Sequence, residues 1–170
     1  MTLKYRIRAA ILAASLTVLA GCGGAPAPVE PIPSIPPAPP AITSQMDNLL
    51  ADVRTPSGLS APVRSVRLNA AARAHADDMI ARNYFAHVSP GGGRLMDRVR
   101  AQGYSACHVS ENIAWGQESE TEVLNAWLNS PGHRANIMSS RSNEFGFARR
   151  TDPSGPRSPV WVLVFADPGC

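Results

Sequence analysis

Apolar residues recur at intervals of three and four in several stretches of the chain, and near its end they run together as in strands. Met46, Leu49, Leu50 and Val53 keep helical spacing in "ITSQMDNLLADVR", with Thr43 or Ser44 placed to cap the helix. "TPSGLSAP", 55–62, reads as loop. "SVRLNAAARAHADDMIARN", 65–83, is the strongest helical pattern: Leu68, Ala72, His75, Met79 and Ile80 form its apolar stripe and Asn83 can close it. "FAHVSPGGG", 85–93, is loop, and "RLMDRVRAQG", 94–103, is a short helix ending at Gly103. "SENIAWG" is extended or irregular. "SETEVLNAWLNS", 119–130, opens with a capping-box pattern from Ser119 to Glu122. Pro131-Gly132 then ends that helix, and His133 begins a short turn. "EFGFARR", 144–150, and "SPVWVLVFAD", 158–167, are strand-like and flank an Asp-Pro-Ser-Gly turn. Helices first and a closing hairpin predict an α+β fold.

The first 41 residues stand apart from this pattern. Lys4, Arg6 and Arg8 precede the apolar run 9–20, which is too short to span a bilayer comfortably. "LAGC", 19–22, follows and resembles the lipobox of bacterial lipoproteins, which implies cleavage before Cys22 and lipid on its thiol. Residues 1–21 are therefore expected to be a signal peptide and 22–41 a tether. Eight of the 16 prolines lie between Pro26 and Pro40, a composition that favours polyproline II and holds a domain about 50 Å from its anchor. Gly23 rather than Asp after Cys22 implies the outer membrane if the cell is Gram-negative. Residues 42–170 form the expected domain.

Processing changes the charge. The whole chain carries +3, and Lys4, Arg6 and Arg8 supply that excess with no acid among residues 1–21. The remaining side chains balance, so the basic footprint of a nucleic-acid binder vanishes and nucleic acid is set aside as a partner. With Cys22 lipidated, Cys107 and Cys170 remain. An exported chain favours their pairing, worth about 4 kcal/mol for the loop it would close.

Four histidines carry the candidate chemistry. His75, on an apolar stripe, reads as a hydrogen-bonded core residue. His87 in "AHVSP" and His133 in "SPGHR" sit in turn settings that favour a cleft, and Glu111 lies between polar neighbours at the edge of apolar sequence. Trp115, Trp127, Trp161, Phe145, Phe147 and Phe165 read as core, and Asn112 as a loop-fixing amide.

"AARAHADDM", "YFAHVSP", "SENIAWG", "AWLNSPGHRANIM", "EFGFA" and "VWVLVFA" occur in an order that resembles the bacterial branch of the CAP superfamily, the SCP domain, over about residues 44–167. The resemblance implies a three-layer α-β-α sandwich with a cleft lined by two histidines and one or two glutamates. Carried onto this chain, these are His87, His133 and Glu111. The second glutamate's position, three residues after Trp127, is Ser130. Two imidazoles and one carboxylate would suit a divalent metal such as zinc. The implied function is a membrane-anchored, extracytoplasmic binding module for a lipid, a metal ion or an envelope partner. One alternative is a hydrolase (peptidase or esterase) working through a zinc-bound or histidine-activated water, or through Cys107 beside His108. It finds no His-Glu-x-x-His helix and no Gly-x-Ser-x-Gly elbow in support. The other alternative is a structural envelope protein with a vestigial cleft.

Overall fold

The computed structural model describes residues 44–153 and 155–168. The signal, Cys22, the proline-rich run and Cys170 lie outside the described residues.

The elements run α1 (Gln45–Arg54), a 3-10 turn (Thr55–Ser57), β1 (Val63–Arg64), α2 (Val66–Ala81), α3 (Leu95–Ala101), β2 (Ala106–Trp115), α4 (Glu120–Leu128), α5 (Pro131–Ile137), β3 (Glu144–Arg150) and β4 (Val160–Pro168). The sheet order is β1-β3-β4-β2, with β1 parallel to β3 and the other pairs antiparallel. β4 is central, and its alternation fills two cores. Val160, Val162, Val164 and Ala166 join Leu68, Ala72, Met79 and Val99 of α2 and α3. Trp161, Leu163 and Phe165 join Met46, Leu50, Val123, Trp127 and Ile137 of α1, α4 and α5. Helices thus cover both faces, the expected three-layer α+β sandwich.

Local chemistry sets the joints. The Asp47 carboxylate accepts from the Ser44 N–H at 2.8 Å and caps α1. Ser119 Oγ accepts from the Glu122 N–H at 3.2 Å, but the Glu122 carboxylate reaches back to the N–H of Glu118 rather than of Ser119. At Gly146 of β3 a Cβ would stand 2.0 Å from the Leu68 carbonyl carbon, so glycine lets α2 lie directly on the sheet. Asn69 of α2 secures that contact by accepting from the Phe147 N–H at 2.8 Å.

Two expectations change here. The chain after Ser130 is not a turn. Ser130 takes extended N-cap geometry and Pro131 is the first residue of α5, since proline's fixed φ suits a helix start as well as an interruption. Trp115 is not core; it is 47% exposed at the end of β2. Trp127, Trp161, Phe145 and Phe165 are buried as expected.

Candidate functional site: a cleft along the open edge of the sheet

β2 is an outer strand, paired with β4 alone. Its Glu111 carbonyl accepts from Asn136 Nδ2 of α5 at 3.3 Å, and its Ile113 carbonyl accepts from Trp127 Nε1 of α4 at 3.3 Å. Backbone groups at these alternate positions therefore face away from β4. Two open grooves follow this edge. One, of about 560 Å³, lies between His87, Val88 and Leu95 on one side and Asn136 on the other, with Val109–Glu111 as its floor. The next, of about 310 Å³, lies between Phe85 and the α4–α5 residues Trp127 and His133, with Ile113–Trp115 as its floor. Each groove has one wall from the α2–α3 layer and one from the α4–α5 layer, which places both on the free edge of β2.

Glu111 is the electrostatic centre. Its side chain is 2% exposed. Oε1 accepts from His87 Nδ1 at 2.9 Å and lies 3.6 Å from His75 Nε2, while Oε2 accepts from Arg98 Nη2 at 2.8 Å. Burial alone would raise its pKa. The His87 hydrogen bond and the charges of His75 and Arg98 outweigh burial and hold the carboxyl below its usual range. Glu111 is thus an ionised, neutralised carboxylate. With Nδ1–H donated to it, His87 keeps Nε2 for solvent or a ligand.

Side chains also hold the loop that carries His87. Arg98 Nη1 donates to the carbonyls of His87 at 3.2 Å and Gly93 at 3.3 Å. The Ser89 N–H donates to the Gly93 carbonyl at 3.0 Å, with Gly92 at φ +85° closing the turn. The Tyr84 hydroxyl donates to the Asp78 carboxylate and lies 3.0 Å from Ser89 Oγ and 3.5 Å from His75 Nδ1. His75 is completely buried, and burial lowers its pKa more than Glu111 raises it.

α5 makes the opposite wall. Arg54, 1% exposed, donates to the Ile137 carbonyl at 2.5 Å and the Ser139 carbonyl at 2.9 Å, satisfying the helix's C-terminal end. Asn112 Nδ2 donates to the His133 carbonyl at 3.1 Å, and Asn136 Nδ2 donates to Asn112 Oδ1 at 2.8 Å. Asn112 therefore fixes α5 rather than its own loop. The His133 ring faces the second groove, where burial and then the nearby His87 lower its pKa.

The structure brings His87 to Glu111 as expected but leaves His133 across the cleft; among the described residues its ring bonds neither of them. This arrangement does not form the expected zinc triad of His87, Glu111 and His133. Among the described residues no group of three or more His, Cys, Asp or Glu is placed to hold a metal ion. Arg98 also occupies one Glu111 oxygen, and its guanidinium would repel a second cation there. Ser130, at the position of the family's second glutamate, lines the second groove, while Glu118, Glu120 and Glu122 line neither groove. Glu120 instead accepts from the Met46 N–H, joining α4 to α1.

Arg98 and His75 are the site residues the sequence conceals. Arg98 has the pattern of a solvated helix charge, and only the long-range fold reveals Glu111 beside it. His75 is expected to be a satisfied core histidine; it is buried, but its Nε2 has no hydrogen-bond partner and faces Glu111 instead.

The three-layer α-β-α arrangement is that of CAP-type domains. The family model described as "CAP: Cysteine-rich secretory protein family" matches residues 48–165, and the chain belongs to that family. It is 43% identical over 79 residues to the protein YkwD of Bacillus subtilis, covering 46% of this chain and 31% of that one. It is 36% identical over 72 residues to the membrane protein YlbC of the same organism, covering 42% of this chain and 21% of that one. The match thus spans less than a third of either curated relative. Among solved structures, an extracellular SCP-domain protein of Bacillus anthracis superposes with a TM-score of 0.64 at 28% identity, covering 72% of this chain and 39% of its own. An outer surface protein of Borrelia burgdorferi gives 0.65 at 21% identity, covering 73% of this chain and 90% of its own, and shares the fold.

Proposed function

We propose that the protein is an extracytoplasmic binding module, held to a membrane by lipid on Cys22 and extended by its proline-rich run, whose sheet-edge cleft receives a ligand or envelope partner. One observation carries this reading: the cleft is open and flanked by the exposed apolar side chains of Val88 and Trp115, while its buried acid is already neutralised. A hydrolase that used Glu111 itself as base or metal ligand is opposed by the guanidinium 2.8 Å from Oε2. The extracellular and outer-surface relatives support placement outside the cytoplasm. A Cys107–Cys170 bond suits the same compartment, and the pairing of Ala106 with Pro168, each next to or near one of these cysteines in sequence, supports it.

Photo-cross-linking residues at positions 88 and 115 of the full chain, in its own envelope, test the cleft, with position 66 as an exposed control away from it. Cross-links from 88 and 115 but not from 66 are expected. None from either cleft position, with the protein folded and abundant, would overturn the reading. Cys22→Ser should release the protein from the membrane fraction, and mass spectrometry of the mature N-terminus should find lipid on the wild type.

A further inference from the structure

The first groove has a feature that narrows the class of ligand. Val109 belongs to the same alternate set of β2 positions as Glu111 and Ile113, whose backbone groups face outward. The Glu111 and Ile113 carbonyls are taken by Asn136 and Trp127. Among the described residues, nothing outside the β2–β4 pairing bonds the Val109 N–H or carbonyl, and the residue is only partly buried. An outward donor and acceptor on one strand residue, at the floor of an open groove, form the template for adding another strand.

The walls then select side chains. Val109 packs with the α2–α3 layer, so a residue paired with it points to the same wall, beside Leu95 and Val88. That position is apolar. Strand residues two apart share a face, and the charges on this wall are cationic. The exposed guanidinium of Arg94 has no ion-pair partner among the described residues, whereas Arg98 is neutralised by Glu111. An acyl chain fits less well, because His87, Glu111, Asn136 and His133 break the apolar lining midway along the cleft.

We propose that this groove binds a short extended peptide as an added strand on β2, through the Val109 N–H and carbonyl. The peptide carries an apolar residue opposite Val109 and, two positions away, an acidic side chain directed to Arg94. The proposal rests on the reading of the cleft as a binding site and names its ligand class.

The compact unit Pro40–Cys170 contains both apolar cores and serves for the test. A hexapeptide library with apolar and acidic residues two positions apart is screened beside the same library with lysine in place of the acid. The best peptide is then resynthesised with single N-methyl groups. Selection of acidic members is expected. N-methylation should weaken binding roughly five- to tenfold at a single position, because one peptide amide donates to the Val109 carbonyl. Arg94→Glu should reduce binding by at least as much without altering the fold. Strand addition is overturned if no member binds, if lysine serves as well as acid, or if no single N-methyl position stands out from the others. Persistent cross-links from positions 88 and 115, to lipid for example, would then leave the binding cleft standing while removing its peptide, so the two failures are separable.

Discussion

The two walls of the cleft present their imidazoles in opposite ways. His133 rides on α5, a regular helix whose Ile137 is buried in the core and whose C-terminal end is satisfied by the buried Arg54. His87 rides on an irregular loop held by Arg98, Glu111, Tyr84 and Asp78. Packing and hydrogen bonds to backbone carbonyls position the first; a network of carboxylates and titratable groups positions the second. One cleft therefore has a wall supported by a helix and backbone carbonyls and a wall supported by a buried carboxylate network.

The largest effect should come from the layer beneath the loop wall. Gly146→Ala puts a methyl group into the Leu68 backbone and pushes away α2, which carries His75 and Asp78. Loss of a cooperative unfolding transition is expected by circular dichroism; a cooperative transition near wild type would show that α2 can shift freely. Arg98→Met comes next. It leaves Glu111 ionised and buried, at a cost of about 3–5 kcal/mol in urea unfolding. Hydrogen exchange should quicken in 85–93 far more than in 131–137; equal quickening would break the comparison. Arg54→Met should show the reverse pattern at a lower cost of about 2–3 kcal/mol, because neutral carbonyls rather than a charge lose their partner.

Acid should weaken the fold without mutation, through both walls. The folded-state pKa of His75 lies below its ordinary value of 6.5. Above that value neither state is protonated and its contribution is complete. As pH falls below it, the unfolded chain takes up the proton first and stability declines. His133 acts in the same direction. The carboxyl of Glu111, depressed from 4.5, adds a second loss at lower pH, as the folded state too becomes protonated. Melting temperature should thus begin to drop between about pH 6.5 and 5.5, ahead of carboxylate titration, and His75→Gln should shrink that early step. A flat profile to about pH 5 would contradict it. Trp115→Ala should have the smallest effect on stability, within about 0.5 kcal/mol, because the ring is half exposed, yet it should remove a cleft contact and weaken ligand cross-linking.

The same contrast explains what is legible in the sequence. Elements that bury one apolar stripe announce themselves: α1, α2, α4 and the β3–β4 hairpin fall close to their predicted bounds. β1 does not, because two residues carry no periodicity and Val63–Arg64 becomes a strand only by pairing with Glu144–Phe145, about 80 residues on. β2 shows only in part because Glu111, Asn112 and Ile113 are all buried, so its centre lacks the in–out alternation of a half-exposed strand. α5 has the signature of a turn, although Ser130-Pro131 also spells a helix start. The resemblance of its motifs locates His87, Glu111 and His133. What holds them lies out of sight: Arg98 is 13 residues from Glu111 in the chain, His75 is 36, and neither distance is readable without the fold.

An outer strand with free backbone groups invites copies of the same protein to pair edge to edge, and sheet proteins usually blunt such strands with charge, proline or a bulge. Here the bulge sits between Ala106 and His108, and helical layers rise on either side of Val109–Trp115. The recess keeps bulky, folded sheets at a distance from β2. The walls that form the cleft thereby also shield the protein from self-aggregation, so changes that flatten either wall should reduce solubility before they abolish folding.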